Sequence, residues 1–406
     1  MKISVVSRTF RIHDNPFLDS DIYIIYIDNN EYGIHQKKFL NHILYYHIKD
    51  LQNHNVTPII LEKMSSINDI IQEYSESEIY VDVFYPNMNY PFPVIFTPSW
   101  TLINWRENDS NTGISRVEMI KEWFLPEALK NHRKFKEYVH SNLRELYSSD
   151  ISSESDKDKI VTSKYSDYEI TLENTSVSSI KENEIAEIGL DNWIIKKLKS
   201  TDFMNDKKWF KPDTVPKTSI LDEIEDLPPN LKTSMLSPYI ALGVLSPLTA
   251  YMFWNGEDRM GSGRDQMLFR EMFHACGQME EFWNDDFGKE YDWKKLDKRS
   301  KTWKDFINGT TEHKDFNWAM QKLNSEGWIH HLARHLIADY LTRGKLDIHW
   351  KHGMEVFKQQ LVDHDKCVNR ANWMGLSGTA FSAKQRSYFH YNYDHFLTRK
   401  SLKKKS

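Results

Sequence analysis

Short β-branched runs alternate with helix-period segments along the first 125 residues. Ile3 to Val6, Ile22 to Ile27, Val56 to Leu61, Ile79 to Phe84 and Val94 to Thr97 read as strands, with helices expected near Gln36 to Asn53 and Ser66 to Glu76. Strands alternating with helices predict an open parallel α/β sheet of Rossmann-like kind. From about residue 126 the pattern turns helical over Pro126 to Leu146, then becomes Ser-, Asp-, Glu- and Lys-rich from Ser148 to Glu187. That stretch has little apolar surface to bury and reads as a linker or a mobile surface segment. From about 205 to 390 strand patterns all but vanish, and helical periods carry most of the Trp and His. The expected organisation is an α/β domain over 1–125, a linker over 126–205 and an all-helical domain over 206–406.

Composition trims the possibilities. No G-x-G-x-x-G follows the first strand, so a nicotinamide cofactor of the usual kind is not supported. Among 406 residues, 53 Lys and Arg face 58 Asp and Glu, a net charge of -5, so nucleic-acid binding would need a local basic surface. Two cysteines exclude a disulfide framework and a Cys-ligated metal core, and fit a reducing compartment. With no signal-peptide pattern and no apolar run near the roughly 20 residues a membrane span needs, a soluble intracellular protein, cytoplasmic or nuclear, is expected. The 13 Trp, 20 Tyr and 21 Phe read as core, as stacking surface or as an electron path.

Four constellations could carry chemistry. Thr233-Ser234-Met235-Leu236-Ser237 runs into Pro238, and Gly243 is followed by Ser246-Pro247. These are helix-start signals with Ser237 as N-cap, and two adjoining helix N-termini with hydroxyls also suit a diphosphate, although taken alone the residues read first as plain capping. Gln266 and Arg270 lie one helical turn apart, a guanidinium for an anion and an amide for a heterocycle edge, or simply a polar helix face. His331 and His335 share another helix face beside Arg334. Without H-E-x-x-H or a nearby third ligand, that spacing speaks for proton exchange or structural histidines rather than metal. Asp363 and Asp365 precede Asn369 and Trp373, and an aspartate there would be a natural partner for Arg334.

Taken in order and spacing, TSMLSPYIALGVLSP, the Gln-x-x-x-Arg-Glu helix, GWIHHLARH with LTRGKLDIHW, and LVDHDKCVNRANW resemble the photolyase/cryptochrome family. Phe10-Arg-Ile-His-Asp-Asn-Pro16 resembles its first loop. The resemblance covers most of residues 1 to 60 and is strong from about 230 to 390. It implies FAD held in the helical domain, with Thr233, Ser234, Met235, Leu236 and Ser237 as a diphosphate cradle. Gln266, Arg270, Arg334, Asp363 and Asp365 would be further pocket residues, and Asn369 would face flavin N5.

The implied activity is light-driven repair of UV-damaged DNA by a monomeric enzyme, with electrons from reduced flavin and a flipped-out lesion. Enzymes for cyclobutane dimers typically carry Glu at the position of Gln266, and Asn and Met at those of His331 and His335. The residues here are those of (6-4) photolyases, with His331 as acid and His335 tuning it; animal-type cryptochromes carry the same pair, so a photoreceptor without repair activity is the alternative reading, and an unusual cyclobutane-dimer enzyme a third. Trp373, Trp350 and Trp293 match the family's electron chain, and Phe269 stands where a lesion-contacting Trp is usual. Val6-Ser7-Arg8 departs from the family's Trp-Phe-Arg, which puts an antenna chromophore, folate or deazaflavin, in question. Asn317 replaces an Asp, and the chain stops soon after Tyr393. DNA phosphates are expected to meet Lys384 and Arg386, with Arg399, Lys400, Lys403, Lys404 and Lys405 adding charge.

Overall fold

The computed structural model describes residues 1–83, 90–124, 132–147, 165–173, 181–200, 234–255, 262–284 and 291–379. β1 (Lys2–Val6), β2 (Ile22–Tyr26), β3 (Pro58–Leu61), β4 (Glu78–Val81) and β5 (Ile95–Phe96) form one all-parallel sheet in the order β3-β2-β1-β4-β5. Helices α1 (Ile34–Asn53) and α2 (Met64–Glu73) are the expected crossovers. Pleating sends alternate residues to opposite faces: Ile3, Val5, Ile24, Ile59 and Val81 pack with Ile67 and Ile70 of α2, whereas Val6, Tyr23 and Ile25 join the core shared with the helices. Helix α1 starts two residues before its expected position, with Gly33 at its N-cap and close to a helix of the other half; a Cβ on Gly33 would lie 2.3 Å from Lys358 O.

The stretch expected as a linker contributes structure. After α3 (Arg116–Phe124) and α4 (His132–Ser141), residues 165–173 lie along the sheet edge, where Asp167 N donates to Ile60 O at 3.0 Å and Asn41 donates to Thr171 O at 2.9 Å. Helices α5 (Glu182–Ile188) and α6 (Leu190–Ser200) follow, and Leu190, Trp193, Ile194 and Leu198 pack α6 onto α1. Those four residues form one helical stripe that a charge-rich average conceals.

The remainder is helical: α7 (Ser237–Ala241), α8 (Pro247–Asn255), α9 (Ser262–Cys276), α10 (Lys301–Asn308), α11 (Lys314–Glu326), α12 (His331–Asp339), α13 (Trp350–Gln360) and α14 (Lys366–Ser377). None of the described helices is long and apolar enough to cross a membrane. Buried polar groups stitch the two halves together. Arg11, 1 % exposed, donates to Gly243 O at 2.8 Å and Ser99 O at 2.7 Å. Glu271 on α9 accepts from Leu102 N at 2.9 Å and from the Trp105 indole at 2.6 Å. Asp14 pairs with Arg144 at 2.6 Å and accepts from Ser246, whose hydroxyl also caps α8 through Thr249 N.

Candidate active site

The segment before α7, the loop 361–365 before α14, and helices α9 and α12 converge on one polar cluster. Met235 is forced into the left-handed region (φ 54°), and Leu236, not Ser237, sits at the N-cap of α7. The Ser237 hydroxyl instead donates to Asp363 Oδ2 at 2.7 Å. This corrects the expected capping role: a carboxylate 126 residues away is a stronger acceptor partner than a backbone amide is a donor. Ser234 Oγ accepts from Leu236 N at 3.3 Å, and Thr233 lies outside the described residues.

Arg334 donates to the same Asp363 Oδ2 at 2.8 Å and to Ile329 O at 3.0 Å, so the pairing expected of that arginine is present. Asp363 Oδ1 is buried and has no hydrogen-bond partner. Opposite, Asp365 caps α14 through Val368 N at 3.0 Å and faces His274 at 2.9 Å and Arg270 at 3.5 Å. Burial alone would raise the Asp365 carboxyl, yet His274, Arg270 and the cap hold it well below the usual range. Arg270 donates to Trp100 O at 3.0 Å while its Nη2 makes no hydrogen bond. Gln266, one turn earlier on α9, is exposed, and Phe269 is half-buried with the Lys136 ammonium 5.7 Å from its ring centre. Lys136 itself pairs with Asp265 at 2.9 Å.

Asn369 lies in the first turns of α14 and is 6 % exposed. Its amide nitrogen donates to Met354 O at 2.9 Å and contacts His364 Nδ1 at 3.3 Å. On α12 the rings of His331 and His335 are 5.9 Å apart and nearly perpendicular. Desolvation first, and Arg334 second, lower His331 to about 4; desolvation, His331 and Arg334 lower His335 to about 3. His331 is nonetheless an exposed residue, whereas His335 is half-buried. At neutral pH both are therefore neutral, so the expected acid is not charged in the free protein. Among the described residues neither histidine belongs to a three-ligand cluster; the trio of His274, Asp365 and Cys367 does come together, but Arg270 already neutralises its carboxylate.

Trp350 and Trp373 are each 1 % exposed on the facing helices α13 and α14. Gly353 permits that approach, since a Cβ there would meet the Trp373 ring at 2.1 Å. Trp293 is half-buried, 5.5 Å from His349, whose ring lies 5.1 Å from Trp350. Two of the indoles are thus buried and the third is nearer the surface, with an imidazole between Trp293 and Trp350. The Arg370 guanidinium 5.0 Å from the Trp350 ring makes removal of an electron there more costly. His274 and His364 were missed as site residues. His274 was legible as the position one turn beyond Arg270, and His364 as the residue between the two aspartates. Lys384, Arg386 and the basic run from Arg399 lie outside the described residues.

Residues 264–400 match the family described as the FAD binding domain of DNA photolyase. The chain is 32 % identical over 192 residues to a (6-4) DNA photolyase of Oryza sativa, a match covering 44 % of this chain and 33 % of that protein. It is 34 % identical over 167 residues to cryptochrome-2 of Gallus gallus, covering 38 % and 28 %. These matches span about a third or less of the relatives' length. In fold it is similar to a class III photolyase of Agrobacterium tumefaciens, with a TM-score of 0.63, 19 % identity and coverage of 98 % of this chain and 86 % of that one.

Proposed function

Since this chain belongs to the photolyase/cryptochrome family and carries its FAD-binding domain, we propose that it is a blue-light-driven DNA lyase that repairs (6-4) pyrimidine photoproducts. The observation that carries the reading is the His331 and His335 pair on one face of α12, beside the Arg334–Asp363 ion pair. The pocket suits FAD: Asp363 Oδ1 and Arg270 Nη2 are buried polar atoms with hydrogen-bonding capacity unspent, one an acceptor for ribityl or ring donors and one a donor. Ser234, Met235, Leu236, Ser237, Gln266, Arg270, Arg334, Asp363, Asp365 and Asn369 would hold it, with Thr233 completing the cradle. When bound, FAD supplies a light-absorbing one-electron donor.

The protein's own groups then divide the remaining work. Phe269 and exposed Gln266 receive a flipped-out lesion, the ring by stacking and the amide by hydrogen bonding. Moving a hydroxyl between the two rings of a (6-4) product needs a proton donor, and His331 is that donor. In the free protein it is neutral, because desolvation and, after it, Arg334 disfavour its charge. Incoming phosphates carry the opposite sign to Arg334 and raise its proton affinity, so the acid is armed by substrate. Lys136 beside Phe269 is placed to meet one of those phosphates, with Lys384 and Arg386 as further contacts. Trp373, Trp350 and Trp293 provide oxidisable rings toward the surface.

A photoreceptor without repair activity is the second reading, favoured by the comparable identity to a cryptochrome. Illumination of the flavin-reduced protein with oligonucleotides bearing either lesion separates the two. The expected result is light-dependent loss of the (6-4) product, reduced at least about a hundredfold by His331→Ala, the usual weight of a general acid. Turnover of neither lesion would assign the chain to signalling.

A further inference from the structure

We infer that His364 is a positioning residue that fixes the side-chain amide of Asn369, so that the carbonyl oxygen is the end presented to the flavin. The inference rests on the placement of Asn369 at flavin N5 proposed above. Asn369 Nδ2 lies 2.9 Å from Met354 O. A backbone carbonyl only accepts, so the atom facing it must be the amide nitrogen and not the oxygen. With the amide oriented this way, its second hydrogen meets His364 Nδ1 at 3.3 Å. Nδ1 must then be the bare, accepting nitrogen, and the ring proton belongs on Nε2.

Burial agrees with that neutral tautomer. His364 is 4 % exposed, and desolvation followed by the charge of Arg8 pushes its pKa down to about 3. The loop that carries it is anchored from the sheet half, where Gln36 of α1 donates to His364 O at 2.8 Å. Both amide hydrogens of Asn369 are thereby committed, and Oδ1 is what the side chain can offer. A carbonyl oxygen there accepts a hydrogen bond from a protonated N5 and so favours reduced flavin; an amide turned end for end would donate to an unprotonated N5 and favour oxidised flavin.

Two measurements on the flavin-loaded protein test this. Histidine-labelled ¹⁵N NMR in the dark, with the His364 signal assigned by its loss in His364→Phe, should show a neutral ring protonated on Nε2 at pH 7; an Nδ1-protonated or charged ring overturns the inference. Air reoxidation of the photoreduced flavin should be about tenfold faster in His364→Phe, the weight of one hydrogen bond of ordinary strength. It should be restored by His364→Asn, whose carbonyl can accept the same N–H. In an Asn369→Ala background His364→Phe should add nothing. An equal effect with and without Asn369 would make His364 a merely structural residue. If Asn369→Ala alone leaves reoxidation unchanged, it is the placement of Asn369 at N5 that fails, whatever tautomer the NMR reports.

Discussion

At the crevice between β1 and β4, Asp82 accepts from Ser7 N at 2.9 Å, Arg8 N at 2.7 Å and the Thr9 hydroxyl at 2.8 Å, and Tyr32 closes over Arg8 at 4.6 Å. At the meeting of α9, α12 and the loop 361–365, Asp363 uses one oxygen on Ser237 and Arg334 and leaves the other without a partner. Both are buried carboxylates at element ends. The first sits where an open parallel sheet reverses strand order, the usual place for a ligand, yet the N–H groups that could cradle an anion are already satisfied by the protein. The second keeps capacity in reserve. The spare Asp363 oxygen is what suits the second carboxylate to the cofactor of the proposed function, whereas the crevice between β1 and β4 spends its N–H groups on Asp82.

The comparison breaks most sharply through its carboxylates. Asp82→Ala strips Ser7 N, Arg8 N and the Thr9 hydroxyl of a shared buried acceptor and is expected to cost about 3 kcal/mol or more in denaturant unfolding, because each buried donor left unsatisfied costs roughly 1–3 kcal/mol. Flavin content should be unaltered in the fraction that folds. Asp363→Asn should weigh on the ligand instead: flavin affinity falls about tenfold to a hundredfold, roughly 1.5–3 kcal/mol, while the flavin-free protein loses less stability than Asp82→Ala does, because an amide oxygen can still accept from Ser237 and Arg334. Flavin titration and unfolding curves on both variants decide the matter. If Asp82→Ala empties the flavin site and Asp363→Asn only destabilises, the two regions have been assigned the wrong roles.

The strands of the sheet were legible because their apolar runs are short and bounded by turns: β1, β2, β3 and β5 fall within a residue or two of the expected segments, whereas β4 ends at Val81, short of the expected Phe84, which lies outside the described residues. Helix α6 was hidden because its four buried residues sit in a charged neighbourhood, and only the periodicity of Leu190, Trp193, Ile194 and Leu198 distinguishes it. At the site, spacing within one helix was readable: His331 with His335, and Gln266 with Arg270. What spacing could not supply was partnership across the chain. Ser237 caps nothing because Asp363 lies beside it, and the charge state of the histidine pair follows from desolvation and Arg334. Those depend on three-dimensional neighbours and dielectric rather than on residue type.

A smaller effect sharpens the comparison from the side of the histidines. His364 in the helical half gives one ring nitrogen to Asn369, whereas His47 on α1 is fully buried against Phe10 with neither nitrogen hydrogen-bonded. Desolvation, with Arg11 adding to it and Asp191 opposing, lowers His47 to about 3. In the unfolded chain the same ring takes a proton near pH 6.5. Folding is therefore favoured above that pH, and His47's contribution is lost progressively as pH falls toward 3, reaching about 2 kcal/mol at pH 5, or 1.5 units at about 1.4 kcal/mol each. Asp50, one turn further along α1, is raised by burial to about 6 and works in the opposite sense between about pH 4 and 6. The variant His47→Phe removes the unpaired nitrogens and the proton uptake together, so it should unfold no more easily than the parent at pH 7 and should lose less stability between pH 6.5 and 5. An acid limb as steep as the parent's in unfolding curves at the two pH values would show that burial does not hold this ring neutral and that its nitrogens find a polar partner after all.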